Sequence, residues 1–325
     1  MPSSPHNILV TGGSGFIGSH VCDALVAQGN TVRCFDNLAT SKRTNIAQLE
    51  GSPAFSFVQG DLRSPEDLKQ AMEGVDAIVH LAALGSVPRS IADPLATEAV
   101  NLAGFVNLLE AARAAGVERI VYASSSSVYG DSAELPKREG SEGRALSPYA
   151  VTKVMDEAYA FLYHRMHGME LIGLRFFNVF GERQDPEGPY AAAIPKFIRA
   201  LLRHEAPLVN GDGGQTRDFT YVGNAVQAVQ CALTAGPEAV GQAFNIAYGE
   251  RCDLLSVVAR LRDHLARIDP AIAQVGVRHA PDRPGDVRDS LADVSKARRV
   301  LGFEPSYDLT AGLERAVPWY AQHWR

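Results

Sequence analysis

A chain of 325 residues, 46% of them hydrophobic and 21% charged, has the composition of a globular protein of one large or two medium domains. Its formal net charge of −6, with no basic run, argues against a nucleic-acid surface or an anionic-membrane patch. No apolar stretch approaches the ~20 residues that span a bilayer. The four scattered cysteines form no CxxC pair, and the first residues lack the regions of a secretory signal, so we expect a cytoplasmic protein without a metal site.

Short apolar runs rich in β-branched residues alternate with amphipathic helical segments over the first half of the chain. The segment 96–116, for example, repeats apolar residues every three or four positions. This alternation predicts a Rossmann-type doubly wound α/β fold, in which helices cover both faces of a parallel sheet. The predicted strands are NILVTG, TVRCFD, AFSFVQGD, AIVHLA, RIVYASS and LIGLRFFNVFG.

Beyond about residue 178 the alternation loosens and the loops become richer in glycine and proline. Helical patterns continue at 192–205, 254–267 and 309–324. We therefore expect an NAD-binding Rossmann domain at 1–177 and a smaller α/β substrate-binding domain at 178–325. Some exchange of strands or helices back to the first domain is expected.

A glycine-rich turn, TGGSGFIGS, follows the first predicted strand and precedes a predicted helix. Gly12 permits a tight turn, Gly15 lets the backbone approach a pyrophosphate, and Gly18 lets the helix pack close to the strand. The helix N-terminus then offers free N–H groups to the phosphates. Asp36, at the end of the second strand, can accept both ribose hydroxyls, which favours NAD over its phosphorylated form. The alternative is a plain loop with a capping aspartate.

Polar residues also follow the later strands, at the edge of the sheet where ligands bind. The segment GDL follows the third strand, so Asp61 could reach the adenine, and LAAL (81–84) follows the fourth. The serine run 124–127 ends the fifth strand. It can be a turn with capping serines, or it can supply a hydroxyl that hydrogen-bonds a substrate oxygen.

The segment SPYAVTK places a tyrosine and a lysine on one face of a helix. Ser147 is a good N-cap and Pro148 a good first helical residue, so Tyr149 and Lys153 lie one turn apart. A nearby ammonium favours the phenolate, and such a tyrosine can take a proton from a sugar hydroxyl. The spacing alone occurs by chance in many helices. In a chain that also carries a dinucleotide-binding fold, this spacing favours a catalytic pair.

Four of these segments together resemble the extended short-chain dehydrogenase/reductase family, and within it the nucleotide-sugar 4-epimerases: TGGSGFIGS, SSSSVYG, SPYAVTK and LRFFNVFG. The resemblance covers nearly the whole chain. Longer segments resemble the bacterial UDP-N-acetylglucosamine 4-epimerases of surface-polysaccharide pathways: LGSVPRSIADP, GERQDPEGPYAAAIPKF, NGDGGQTRDF and RPGDVRDSLAD.

The resemblance implies roles for individual residues. Tyr149 is the catalytic base, Lys153 holds the nicotinamide ribose, and Ser125 shares the substrate hydroxyl. The implied NAD-binding residues are Gly12, Gly15, Phe16, Ile17, Gly18, Asp36, Asn37, Asp61, Leu62, Leu81, Ala82, Ala83, Asn101, Ser124, Tyr149, Lys153 and Phe176. The implied UDP-sugar-binding residues are Ser86, Arg89, Ser125, Ser126, Ser127, Tyr149, Asn178, Ala192, Ala193, Ile194, Val209, Asn210, Arg217, Arg283, Asp286 and Ser290.

Two positions differ from the residues that some members of the family carry. Phe176 stands where many relatives carry tyrosine, which puts no catalytic role in doubt. Ser290 occupies a pocket-wall position that is tyrosine in epimerases restricted to unacetylated glucose and galactose, and a serine leaves room for an N-acetyl group. The alternative for Ser290 is a surface serine that caps the next helix.

The implied reaction is inversion at C4 of UDP-GlcNAc to give UDP-GalNAc, through a transient 4-keto sugar and with tightly bound NAD. Open alternatives are a 4-epimerase of UDP-glucuronate or UDP-N-acetylglucosaminuronate, a UDP-glucose 4-epimerase and a nucleotide-sugar 4,6-dehydratase. Serines at both positions beside Ser125 argue against dehydration, which needs an acid and a base there. A non-enzymatic NAD sensor would have no reason to keep Tyr149, Lys153 and Ser125 together. The resemblance also implies a homodimer through the helix at 94–115 and the helix that starts at Pro148.

Overall fold

A seven-stranded parallel sheet organises the computed structural model, which describes residues 6–187, 191–281 and 288–324. The strands follow the order β11-β6-β5-β4-β1-β2-β3. They are β1 (Asn7–Thr11), β2 (Thr31–Asp36), β3 (Phe55–Gln59), β4 (Ala77–His80), β5 (Arg119–Ser125), β6 (Glu170–Phe176) and β11 (Gln242–Ile246). This confirms the expected doubly wound fold.

Helices cover both faces of the sheet, which explains why its central strands are apolar without alternation. Leu9 and Val10 of β1 and Ile78 and Val79 of β4 are all fully buried. The helices are α1 (Phe16–Ala27), α2 (Pro65–Ala71), α3 (Val87–Ala92), α4 (Pro94–Glu98), α5 (Gly104–Ala115), α6 (Pro148–His167), α7 (Ala193–Leu202), α8 (Val222–Thr234), α9 (Leu254–Ala266), α10 (Ser295–Leu301) and α11 (Leu309–His323).

The order in which the chain adds strands to the sheet reverses at β1. Its parallel neighbours are β2 on one side and β4 on the other. Such a switch point opens a crevice at the carboxyl ends of the strands, where ligands bind in this architecture. A π-helical turn, Ala99–Ala103, joins α4 to α5. The predicted helix at 94–115 is therefore one continuous helical segment.

The last predicted strand of the first half, LIGLRFFNVFG, is broken in the structure. It forms β6 up to Phe176 and a separate β7 (Val179–Phe180), which pairs with β10 (Thr220–Tyr221). Between them Asn178 has a φ of 35°, in the left-handed region that few residues adopt. The Asn178 side chain donates to the carbonyl oxygen of Asp218 at 3.0 Å, which holds this bend.

A second apolar core lies in the C-terminal half, between α7, α9 and α11. Short strand pairs surround it, formed by β8 (Leu208–Asn210) with β13 (Arg278–Ala280) and by β9 (Thr216–Asp218) with β12 (Arg251–Asp253). β11, also from the second half, returns to pair with β6 in the central sheet. The lobe thus overhangs the strand ends while staying tied to the sheet.

Within the described ranges, no helix is both long and apolar enough to cross a bilayer. Nor does that part of the chain hold a group of three or more His, Cys, Asp or Glu side chains suited to a metal ion. All four cysteines are free thiols.

Candidate active site

The turn between β1 and α1 has room only for glycine at its critical positions. Gly12 has a φ of 68°, and a Cβ there would lie 2.7 Å from the backbone nitrogen of Ala82. A Cβ on Gly18 would lie 2.1 Å from the carbonyl oxygen of Gly12. Gly15 is the N-cap of α1 and provides no side-chain acceptor, so the first N–H groups of the helix stay free of a capping side chain. The cradle fits a dinucleotide pyrophosphate.

Asp36 places a carboxylate beside this turn. It is nearly buried at the end of β2, and its oxygens accept hydrogen bonds from the backbone N–H of Ser14 (3.2 Å) and of Leu38 (2.8 Å). The hydroxyl of Ser41 donates to it as well, at 2.8 Å. These donors orient the Asp36 carboxyl group beside the glycine turn, and its place at the end of β2 suits the binding of ribose hydroxyls.

Asp61, after β3, is joined to Asn37, whose amide donates to it at 2.9 Å. The Arg63 guanidinium binds both Asp61 oxygens, at 2.9 and 2.7 Å, and holds the pKa of that carboxyl well below its usual range. Asp61 is therefore charged at neutral pH, and it lies two residues beyond the end of β3.

The remaining predicted cofactor residues lie at the strand ends or just beneath them. Leu81 and Ala82 donate backbone N–H groups to Thr11, which keeps the segment 81–83 against the glycine turn. Asn101 is buried in the π-helical turn and accepts from the N–H of Leu84 at 2.8 Å. The side chains of Phe16 and Ile17 are partly buried, and those of Leu62 and Phe176 are almost fully buried. Ser124 is also buried, and its hydroxyl donates to Glu157.

A cleft of about 870 Å³, including its part open to solvent, lies between the ends of β5 and β6 and the second lobe. The cleft brings together seven of the residues predicted for the substrate, namely Ser125, Ser126, Ser127, Tyr149, Asn178, Arg217 and Ser290. Residues that are far apart in the sequence and belong to both lobes thus line one cleft.

The start of α6 sets the position of Tyr149 at this cleft. Ser147 accepts from the backbone N–H of Ala150 at 3.1 Å, and Pro148 occupies the first helical position, as predicted. One turn later Lys153 is almost fully buried, and its ammonium donates to the carbonyl oxygen of Ala123 at 2.9 Å and to Asp156 at 3.0 Å. Burial disfavours the charge on Lys153, but Asp156, Tyr149 and Glu157 together outweigh this effect, so the pKa of Lys153 is raised.

The serines at the end of β5 present hydroxyls to the cleft. The Ser125 hydroxyl oxygen accepts from the backbone N–H of Ser127 at 3.1 Å, which orients it at the start of a 3₁₀ turn. The Ser127 hydroxyl is buried and makes no hydrogen bond within the described structure. Buried polar groups normally have a partner, so Ser127 is an exception in the lining of this cleft.

The second lobe provides the opposite wall of the cleft. Arg217 of β9 donates to the carbonyl oxygen of Arg288 at 3.0 Å, and Ser290 donates its backbone N–H to Thr216 at 3.1 Å. The segment that carries Ser290 is therefore held along β9. The structure places Ser290 in the wall of the cleft and not at the N-cap of α10, which is Val294.

The other predicted substrate residues within the described ranges are not among those that line the cleft. Ser86 caps α3 by accepting from the N–H of Arg89 at 3.2 Å. Ala192 is the N-cap of α7, with Ala193 following it, whereas Ile194 and Val209 are buried in the second core. The carbonyl oxygen of Asn210 accepts from Gln215 at 2.8 Å. Arg283 and Asp286 lie outside the described residues.

Several residues of the cleft were not predicted from the sequence: Val87, Tyr129, Gly130, Lys137, Leu146 and Ala150. Lys137 lies in the loop between β5 and α6, where no periodicity marks a position. Its backbone N–H donates to Leu291 at 2.7 Å, and this long-range pairing brings it beside Ser290. Asp156 was also missed, although its spacing from Lys153 could have indicated it.

Comparison with known proteins gives a consistent result. Residues 8–247 match the NAD dependent epimerase/dehydratase family. A putative UDP-glucose 4-epimerase of Methanocaldococcus jannaschii is 37% identical over 314 residues, which are 96% of this chain and 97% of that protein.

Two solved structures show the same architecture. A UDP-N-acetylglucosamine 4-epimerase of Methanobrevibacter ruminantium, in complex with UDP-N-acetylmuramic acid, has a TM-score of 0.92 and 35% identity, covering 98% of this chain and 99% of that one. A variant of the UDP-glucuronic acid 4-epimerase of Bacillus cereus, with a fluorinated UDP-sugar and NAD, has a TM-score of 0.89 and 30% identity, covering 98% and 99%. The chain belongs to the NAD-dependent epimerase/dehydratase family, and it is a nucleotide-sugar 4-epimerase that uses NAD.

Proposed function

We propose that the protein interconverts UDP-GlcNAc and UDP-GalNAc by inversion at C4 of the sugar. The observation that carries this choice is Ser290 in the wall of the cleft. Both faces of the sugar must fit in turn during inversion, so an N-acetyl group needs space on the wall side. A serine there leaves that space, and its hydroxyl can hydrogen-bond the amide.

In this proposal three residues carry the proton chemistry. Tyr149 removes the proton from the 4-hydroxyl and returns it after the sugar has turned over. Lys153 stabilises the phenolate form of Tyr149 by its charge, and Ser125 hydrogen-bonds the same sugar oxygen. Bound NAD supplies the hydride acceptor and donor for C4. No net oxidation occurs, so the cofactor can stay in the site.

The second lobe anchors the UDP while the sugar rotates. Arg217 lies in the cleft, and a guanidinium suits the pyrophosphate because it offers a planar set of donors. We assign the same role to Arg283 and Asp286 by resemblance. We propose a cytoplasmic setting, which the four free thiols support.

A nucleotide-sugar 4,6-dehydratase is a poor fit to this cleft. Elimination of water across C5 and C6 needs an acid and a base beside the catalytic tyrosine. Among the described residues that line the cleft none is a carboxylate, and Ser126 and Ser127 occupy the positions next to Ser125. The site thus supports oxidation and reduction at C4 without elimination.

A uronic acid 4-epimerase is the second candidate, and Lys137 is the observation that favours it. Its side chain lines the cleft, and burial lowers the pKa of its ammonium. A sugar carboxylate near Lys137 would stabilise that charge. A UDP-glucuronate 4-epimerase of Arabidopsis thaliana is 34% identical over 342 residues, covering 98% of this chain and 76% of that protein. The ammonium already donates to the carbonyl oxygen of Ser132, so we rank this candidate second.

We propose that the active form is a homodimer built on α6. Six large apolar side chains are exposed on one face of this helix, namely Val151, Val154, Met155, Phe161, Leu162 and Met166. Leu95 of α4, 80% exposed, lies on the segment that packs beside α6. A contiguous apolar face of this kind is typical of a protein–protein contact, and a second copy can bury it in a four-helix seam.

The test is incubation of the purified protein, without added cofactor, with UDP-GlcNAc, UDP-glucose, UDP-glucuronate and UDP-N-acetylglucosaminuronate in separate reactions. Proton NMR resolves each C4 epimer. The proposal predicts the highest kcat/KM with UDP-GlcNAc. A higher value with either uronic acid would favour the second candidate, and no conversion of any of the four would reject the proposed function.

A further inference from the structure

A buried ion pair lies directly beneath the candidate catalytic tyrosine. The ammonium of Lys153 is 3.0 Å from Asp156, and the two side chains are only 3% and 1% exposed. The ammonium also donates to the carbonyl oxygen of Ala123. The protein therefore engages two of its three N–H groups and leaves one for a ligand.

Other ionisable groups around Lys153 do not replace this partner. Tyr149 and Glu157 share the helix with it, and His80 approaches from the end of β4. Glu157 is engaged elsewhere, because it accepts from Ser124 at 2.5 Å and binds Arg175 at 2.7 and 2.9 Å. Burial, with a smaller effect of Lys153, lowers the pKa of His80 to about 3, so this ring is neutral.

Asp156 is poorly explained as a stabilising residue. One of its carboxylate oxygens is buried and makes no hydrogen bond within the described structure. A buried ion pair of this kind contributes little to stability relative to apolar side chains of similar volume, because both charges lose their hydration. Its place on α6 is more informative, since Tyr149, Lys153 and Asp156 follow one another at helical spacing on a single face.

We infer that Asp156 is a positioning residue, the counter-ion that keeps the buried Lys153 charged and holds its ammonium beneath Tyr149. A lysine buried to this degree without an anion loses its proton easily. Neutral Lys153 could no longer stabilise the Tyr149 phenolate. The catalytic consequence rests on the proposed function, whereas the charge state of Lys153 can be measured without any substrate.

The first test is a titration of Lys153 by NMR. The chain has six lysines, so a protein labelled with ¹³C at lysine Cε gives few signals, and Lys153→Arg identifies the one of interest. In the wild type Lys153 should keep its proton above the ordinary lysine range. In Asp156→Asn its titration midpoint should fall by at least about one pH unit. Glu157→Gln, which removes a neighbouring carboxylate bound to arginine, should have a smaller effect.

The second test is the pH dependence of kcat for epimerisation of UDP-GlcNAc. The alkaline limb should move to lower pH in Asp156→Asn, and Asp156→Glu should move it back toward the wild type. Three results would overturn the inference: a wild-type Lys153 that loses its proton below the ordinary range, an unchanged Lys153 titration in Asp156→Asn, or an equal change in Glu157→Gln. The first is a property of the wild-type protein, and only the assignment of its signal uses a variant, Lys153→Arg. If the Lys153 titration midpoint falls in Asp156→Asn but no UDP-sugar is converted, the counter-ion role of Asp156 is supported and the proposed function is rejected.

Discussion

The backbone N–H of Ser290 donates to the carbonyl oxygen of Thr216 at 3.1 Å, which fixes Ser290 beside Arg217 in the wall of the cleft. Two chain segments of the second lobe, β9 and the residues just before α10, are thereby held together. The wall of the cleft is therefore set by backbone pairing, and its shape at this position depends on the size of one side chain.

Replacement of Ser290 by tyrosine should fill the space that we assign to the N-acetyl group. Conversion of UDP-GlcNAc should be lost while UDP-glucose is still epimerised, because the tyrosine ring would clash with the N-acetyl group, which UDP-glucose lacks. The measured quantity is the ratio of kcat/KM for the two sugars, which should fall by about 100-fold or more. Ser290→Ala is the control and should leave the ratio near its wild-type value. An unchanged ratio in the tyrosine variant would remove Ser290 from the sugar pocket.

Cofactor choice should depend on Asp36. Its carboxylate, held by Ser14 and Ser41, would lie next to a 2′-phosphate and repel it. Protein purified without added cofactor should release NAD on denaturation, and Asp36→Asn should bind NADP at least about 10-fold more tightly relative to NAD. Asp61→Asn, at a carboxylate paired with Arg63, should change this ratio less. Release of NADP from the wild-type protein would contradict the assignment of Asp36.

Asp218 should make stability depend on pH. Burial raises its pKa to about 7, although the backbone N–H groups of Ala292 and Gly249 donate to it. The folded protein thus binds a proton more tightly at this site than the unfolded chain. The resulting stabilisation is fully present below about pH 4 and is lost as the pH rises through about 7.

Asp218→Asn removes this titration. The difference in unfolding free energy between wild type and variant should therefore change between pH 4 and pH 7, with the wild type losing up to about 4 kcal/mol relative to the variant. Urea unfolding at several pH values measures it. A constant difference across that range would show that Asp218 is ionised in the folded protein throughout.

The proposed dimer predicts that charges on the exposed face of α6 produce monomers. Phe161 and Met166 are 57% and 65% exposed, and the double variant Phe161→Glu, Met166→Glu would bury two carboxylates in the seam. Sedimentation velocity should show a monomer for this variant and a dimer for the wild type. Ile268→Glu, at an apolar residue exposed elsewhere, should remain dimeric. A wild type that sediments as a monomer would reject the dimer.

The central sheet could be predicted because each of its first six strands carries its own apolar run, flanked by a turn and a helical pattern. β11, QAFNI, was missed because its place beside β6 is decided by packing and not by a local pattern. The short strands of the second lobe were also missed. β7 and β10 are two residues long, too short for any periodicity to show.

The candidate site divides in the same way. Tyr149 and Lys153 could be found because helical spacing and a capped helix start are local properties. Lys137 could not be found, because only the pairing of its loop with Leu291 and Ala292 brings it to the cleft. The break at Asn178 was missed for a similar reason, since its left-handed backbone depends on the contact with Asp218.

The central claim is that Tyr149 drives a reversible oxidation at C4 that needs no added cofactor. The most direct measurement follows UDP-GlcNAc deuterated at C4 by NMR with the purified protein and without added NAD. We predict UDP-GalNAc that retains the deuterium at C4, and a loss of rate of at least about 100-fold in Tyr149→Phe with bound NAD unchanged. Product that has lost the label to solvent, or a Tyr149→Phe variant with near-wild-type activity, would contradict the account.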